Sequence, residues 1–174
     1  VIQKDGSFDL AITAQTADSP GGNLSAVVTA SMHVDINPVA ATTGDDRLLY
    51  DGSALNGLAG VDIIEFRLGE NLDFSASPVK PTNIERFDLM PAGQNHSLGH
   101  LSVQDVLDMT GSGKSLTILG DSGDSVSLKS TVGGTWSAGG SQTVDGHSFD
   151  IYLNTQDSSV RVLIEQQINK SSDP

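Results

Sequence analysis

The 174-residue chain predicts an all-β fold with one short helix. Three observations lead there. Apolar residues alternate with polar ones through the first forty positions, the strand period of two. From residue 41 the alternation gives way to Gly/Asp loops broken by short apolar runs, too short for helices. Near the end, Phe149, Ile151 and Leu153, then Val160, Val162 and Ile164, form a strand pair joined through Asn154–Ser159.

In order along the chain, Phe8, Leu10, Ile12 and Ala14 mark a first strand. Leu24, Ala26, Val28, Ala30, Met32, Val34 and Ile36 mark a second. The turn residues Asp18-Ser19-Pro20-Gly21-Gly22-Asn23 join them, and Asn37-Pro38 ends the hairpin. Two strands are not stable alone, so this pair needs a further surface to pack on. Residues 1–40 are therefore read as one region and 41–174 as another. Within the second, Asn83–Leu89, Ser115–Leu119 and Ser125–Leu128 read as strands. Ser102 begins a short helix, with Val103, Val106 and Leu107 on one face and Asp105 three residues after the N-cap.

Composition limits function. A net charge of −13 excludes a nucleic-acid footprint, which needs clustered Lys and Arg, and disfavours anionic membrane surfaces. No apolar run approaches the roughly 20 residues that span a bilayer, so no membrane insertion is expected. The absence of cysteine removes thiol chemistry and the common zinc sites. Of the 22 acidic residues, 18 are Asp and four are Glu, a bias toward turns and oxygen-ligand loops. Many aspartates adjoin glycine, as in Gly44-Asp45, Asp51-Gly52, Gly120-Asp121 and Gly123-Asp124. Asp-Gly pairs serve hairpin turns, and Asp-rich loops serve calcium; composition leaves both open.

Spacing favours calcium at two places. Gly44-x-Asp46-x-Leu48 and Gly60-x-Asp62-x-Ile64 repeat one phrase 16 residues apart. Both are degenerate forms of the calcium-binding nonapeptide G-G-x-G-x-D-x-U-x, whose glycines allow a tight turn and whose Asp supplies a carboxylate. The candidate ligand set is Gly44, Asp45, Asp46, Asp51, Gly60, Asp62, Asp121 and Asp124, with Ca2+ as the cofactor.

Other motifs yield to plainer readings. Gly111-Ser112-Gly113-Lys114-Ser115 looks like the end of a P-loop, but Asp108 stands where the first glycine belongs and would repel phosphate. Gly120-Asp121-Ser122-Gly123 resembles a serine-protease phrase without its context and reads as a turn. His96 and His100, four apart, read as exposed polar residues of a loop. Trp136 reads as a packing anchor. No nucleophile, base and orienting group can be assembled, so the chain is expected not to be an enzyme.

The phrases "GDDRLLYDGSALNGLAGVDIIEF", "NIERFDL", "LSVQDVLDM", "SLTILGDSGDSVSL" and "DGHSFDIYLNTQDSSVRVLIEQQI" together resemble the region near the calcium-binding repeats of RTX adhesins. These are giant bacterial surface proteins exported by type I secretion. The resemblance implies an RTX-like β-roll or β-sandwich body over residues 41–174. The leading hairpin resembles the end of an Ig-like or cadherin-like adhesin module. It implies an extracellular, calcium-dependent domain at the bacterial surface, acting in attachment and biofilm formation. Its implied partners are a glycan or peptide ligand and neighbouring domains of the same adhesin. A carbohydrate-active or other hydrolytic domain of a type I-secreted protein is the alternative. Thr42-Thr43 and Leu58 depart from the glycines of the repeat, which implies one or two isolated calcium sites, not a metal ladder.

Overall fold

A computed structural model describes residues 6–14, 28–36, 40–66, 69–90 and 94–173. The chain divides into two compact units, Val1–Pro38 and Val39–Pro174. In the first, strands β1 (Gly6–Ala14) and β2 (Val28–Ile36) pair antiparallel in one unbroken register, from Gly6 opposite Ile36 to Ala14 opposite Val28. The expected turn at 18–23, the strand residues Leu24 and Ala26, and Asn37-Pro38 lie outside the described residues.

The second unit is all-β with one short helix. Its strands are β3 (Arg47–Leu49), β4 (Ile63–Glu65), β5 (Asn71–Asp73), β6 (Arg86–Asp88), β7 (Ser97–Leu101), β8 (Ser115–Leu119) and β9 (Ser125–Lys129). After these come β10 (Trp136–Val144), β11 (His147–Asn154), β12 (Arg161–Glu165) and β13 (Asn169–Asp173). They build a seven-stranded sheet in the order β10-β11-β12-β8-β6-β4-β3 and a four-stranded sheet in the order β13-β9-β7-β5. The joints β3/β4, β4/β6, β6/β8 and β8/β12 are parallel, as are all joints of the smaller sheet. From β4 to β9, and again at β12–β13, the chain alternates between sheets. Each pass lays a new parallel strand beside the last.

This winding explains the burial. Leu48, Ile64, Phe87, Ile118 and Ile164 stand opposite one another on successive strands and form one buried row. Leu72, Leu98 and Val126 form the matching row of the smaller sheet. Short strands bury few side chains each, so the stack of rows, not any one strand, carries the core. Aromatic rings sit at its centre: Tyr50 stacks on Phe66 at 4.6 Å, and Phe66 meets Phe87 edge-on at 5.9 Å.

Helix α1 (Val103–Thr110) occupies the passage from β7 to β8. Ser102 caps it in a full capping box with Asp105, and Val103, Val106 and Met109 face the core. Leu107, expected on the buried face, is only partly buried. Lys80 pairs with Asp105 from outside. Trp136 is an anchor: its indole N–H donates to the Leu101 carbonyl at 3.1 Å, and the ring packs against the core. Gly111–Gly113 is a single 3-10 turn, with Lys114 after it in the left-handed region. No helix among the described residues is long and apolar enough to cross a membrane.

Candidate cation-binding corners

Parallel winding places residues just before each strand on top of one another. Arg47, Ile63 and Arg86 are in register, so Asp46, Asp62 and Glu85 form a polar row one residue upstream. The row is linked along its length. The Asp46 N–H donates to Asp62 Oδ1 at 2.9 Å, and the Asp62 N–H donates to Glu85 Oε2 at 2.9 Å. Each carboxylate thus accepts the backbone donor of the preceding coil, a charge-assisted bond stronger than a neutral one.

The two glycine-aspartate phrases meet here. Gly60, at φ +136°, lies so close beneath Gly44 that a Cβ on it would sit 2.6 Å from the Gly44 carbonyl oxygen. Asp45 Oδ1 accepts the Val61 N–H at 2.8 Å. The Asp46 carboxylate turns back onto Thr42, accepting its N–H at 2.6 Å and its hydroxyl at 3.0 Å. Gly44, Asp45, Asp46, Gly60 and Asp62 are therefore one corner.

Asp62 is fully buried, and its Oδ2 has no hydrogen-bond partner among the described residues. A buried carboxylate oxygen without a partner is costly, because desolvation is uncompensated. The oxygen lies beside Gly57: a Cβ there would sit 2.4 Å from Oδ2 and 2.1 Å from the Asn83 carbonyl oxygen. The corner thus joins an unsatisfied carboxylate oxygen, a nearby backbone carbonyl and a second carboxyl, Glu85. That donor chemistry is all oxygen and net negative, which fits a hard cation. No group of three or more acidic or imidazole side chains among the described residues converges as a metal site. Backbone carbonyls would have to complete the shell. Asp62 and Glu85 are the side chains that would hold calcium, and the ion would supply charge neutralisation in the buried row.

The electrostatics point the same way. Burial pushes the Glu85 carboxyl above its ordinary value, and the charges of Asp62 and Asp45 push it further, against two backbone hydrogen bonds, from Asp62 and Glu85, that lower it. A carboxyl raised by folding stabilises the protein below its unfolded pKa, and that contribution is lost as pH rises through the folded value. Glu85→Gln is therefore expected to raise the melting temperature at neutral pH in calcium-free buffer. The gain should vanish near pH 4. Melts across that range check it.

Asp121 and Asp124 lie elsewhere, at the corner between β8 and β9. Asp124 is fully buried and saturated: Oδ1 accepts the His96 N–H at 2.9 Å, and Oδ2 accepts the Asp121 N–H at 2.8 Å. Asp121 Oδ1 accepts the Gly123 N–H at 2.8 Å. Asp51 opens a separate turn after β3 by accepting the Ser53 N–H at 2.8 Å. The eight sequence candidates thus fall in three places.

His96 corrects an expectation. It is buried, not exposed, and stands in register with Glu70 and Asp124 in a second polar row before β5, β7 and β9. Gly69 N–H donates to its Nε2 at 3.1 Å, which assigns the hydrogen to Nδ1, 3.0 Å from the Leu89 carbonyl oxygen. His100 also leaves the expected loop for strand β7, half-buried. Its ring lies 2.8 Å from Asp73 Oδ1 and 3.3 Å from Asp173 Oδ2. Two hydrogen bonds from Ser75, with that from His100, hold Asp73 at about 2. His100 showed no strand period, because β7 shifts register between Leu98 and Leu101.

Glu85 was also missed. Asn83-Ile84-Glu85-Arg86-Phe87 repeats the phrase of Gly60-Val61-Asp62-Ile63-Ile64, with Asn for Gly and Glu for Asp. Asn83 adopts φ +53°, the left-handed conformation Asn tolerates better than most residues.

No family model, curated protein or solved structure matches the chain.

Proposed function

We propose that this chain is a calcium-stabilised module of a bacterial surface adhesin, with its second unit a β-roll whose corners hold cations. The observation that carries the reading is the buried Asp62 Oδ2, unpartnered at the point where two Gly-x-Asp-x-apolar phrases stack in register. Calcium there would neutralise the Asp46–Asp62–Glu85 row, which otherwise concentrates like charge in a buried place. The acidic, cysteine-free composition suits an extracellular chain that gains stability from metal instead of disulfides. In this reading the protein is exported by type I secretion and serves attachment and biofilm formation at the cell surface. It is a scaffold that holds neighbouring adhesin domains in place, and ligand capture of a glycan or peptide belongs to the same assembly.

The test is thermal unfolding of the whole chain in calcium and in chelator. Saturating calcium at about 100 times its Kd should add about 2.7 kcal/mol, or roughly 5–10 °C for a chain of this size. Superimposable melts would overturn the reading.

A further inference from the structure

The corner between β12 and β13 differs from the others. Asn169 stands opposite Ser125, so Ile168 takes the place that Asp124 holds one coil earlier. The polar row ends there in an apolar side chain that cannot accept hydrogen bonds. Instead three backbone carbonyls turn toward one point, and Lys170 fills it. Its Nζ lies 3.2 Å from the Glu165 carbonyl oxygen, 3.0 Å from that of Gln166 and 2.9 Å from that of Ile168. Asp150 Oδ2, on β11 of the other sheet, lies 3.2 Å away. The Lys170 side chain is only 14% exposed.

We infer that this corner is a cation site for a primary ammonium group, and that its occupant is the chain's own Lys170. Four oxygens at these distances suit N–H···O bonds from an ammonium with three donors. These distances are longer than the roughly 2.3–2.6 Å at which calcium holds its oxygens. The charge also tethers the two sheets, because Lys170 belongs to β13 and Asp150 to β11. A surface lysine gains little from one exposed ion pair; convergence of three carbonyls on the end of a largely buried lysine side chain is a different arrangement. The last coil therefore carries its cation covalently and needs no free metal at this corner. The inference stands apart from the calcium proposal, since it concerns a different corner and a different ion.

The test uses the full chain at saturating calcium, so its outcome is separate from the chelator melt. Lys170→Ala removes the ammonium and leaves room beside the carbonyls for a small amine. It should speed amide exchange across Asn169–Asp173 and lower the melting temperature by roughly 3–8 °C. Methylammonium chloride should restore at least half of the lost protection. Tetramethylammonium chloride at matched ionic strength, which has charge but no N–H donor, should not. Lys170→Arg keeps the charge, but its planar fork cannot converge on three carbonyls, so β13 should exchange faster there too. Wild-type protection in either variant, or equal rescue by the two salts, would overturn the assignment.

Discussion

Gly57→Ala is expected to cost about 3 kcal/mol or more, a drop of roughly 6–12 °C in melting temperature. The reason is steric and local. An alanine Cβ would lie 2.1 Å from the Asn83 carbonyl oxygen and 2.4 Å from Asp62 Oδ2. Neither neighbour can withdraw freely. The Gly57 N–H donates to the Thr82 carbonyl at 3.0 Å, and the Thr82 N–H donates to Leu55 at 3.0 Å, so the two segments are pinned together. Asp62 is held through its Oδ1 and its own N–H. The same substitution would crowd Asp62 Oδ2, the oxygen proposed to bind the cation, so calcium should stabilise the variant less than the wild type. Unfolding curves in calcium and in chelator read both effects. A variant that melts with the wild type would show that the segment around Asn83 yields.

Phe87→Ala is expected to cost about 3–5 kcal/mol, the usual loss for a buried aromatic ring. Phe87 is wholly buried in the row between Ile64 and Ile118 and meets both Phe66 and Phe74 edge-on. Its removal opens a gap at the level where both sheets meet the aromatic cluster. Val132, fully exposed in a turn, supplies the control: its replacement by Ala should leave stability within about 0.5 kcal/mol. Equal effects at the two positions would contradict the placement of the core.

What the sequence disclosed follows from where the periods were clean. Strand β8 matched its expected span, Ser115–Leu119, because Leu116 and Ile118 alternate with polar neighbours. The pair β11 and β12 was legible for the same reason, and helix α1 through its Ser102–Asp105 cap. Strand β10 was not legible. Its central residues are exposed on both faces at the edge of the larger sheet, so nothing selects an alternation. Strands β5 and β13 are short or polar, and only pairing with β7 and β9 defines them. At the first corner, the interval between Gly44 and Gly60 equalled the offset of the β3–β4 register, so Asp46 and Asp62 came together as their spacing suggested. The interval from Asp62 to Glu85 is 23 residues, and that inserted length hid the third member of the row. His96 was hidden more deeply. A histidine between Asn95 and Ser97 gives no local sign of burial, and only stacking beneath Asp124 creates its site.

A calorimetric titration of calcium into the wild type and Asp62→Asn tests the proposed calcium site at Asp62 most directly. Asparagine preserves an oxygen for the Asp46 N–H and replaces the unpartnered oxygen with a donor beside the Asn83 carbonyl. The wild type should bind calcium, and Asp62→Asn should bind about tenfold more weakly or not at all. In chelator the variant should melt no lower than the wild type, because it removes a buried unpaired charge. Identical isotherms for the two proteins, or no calcium uptake by the wild type, would contradict the account.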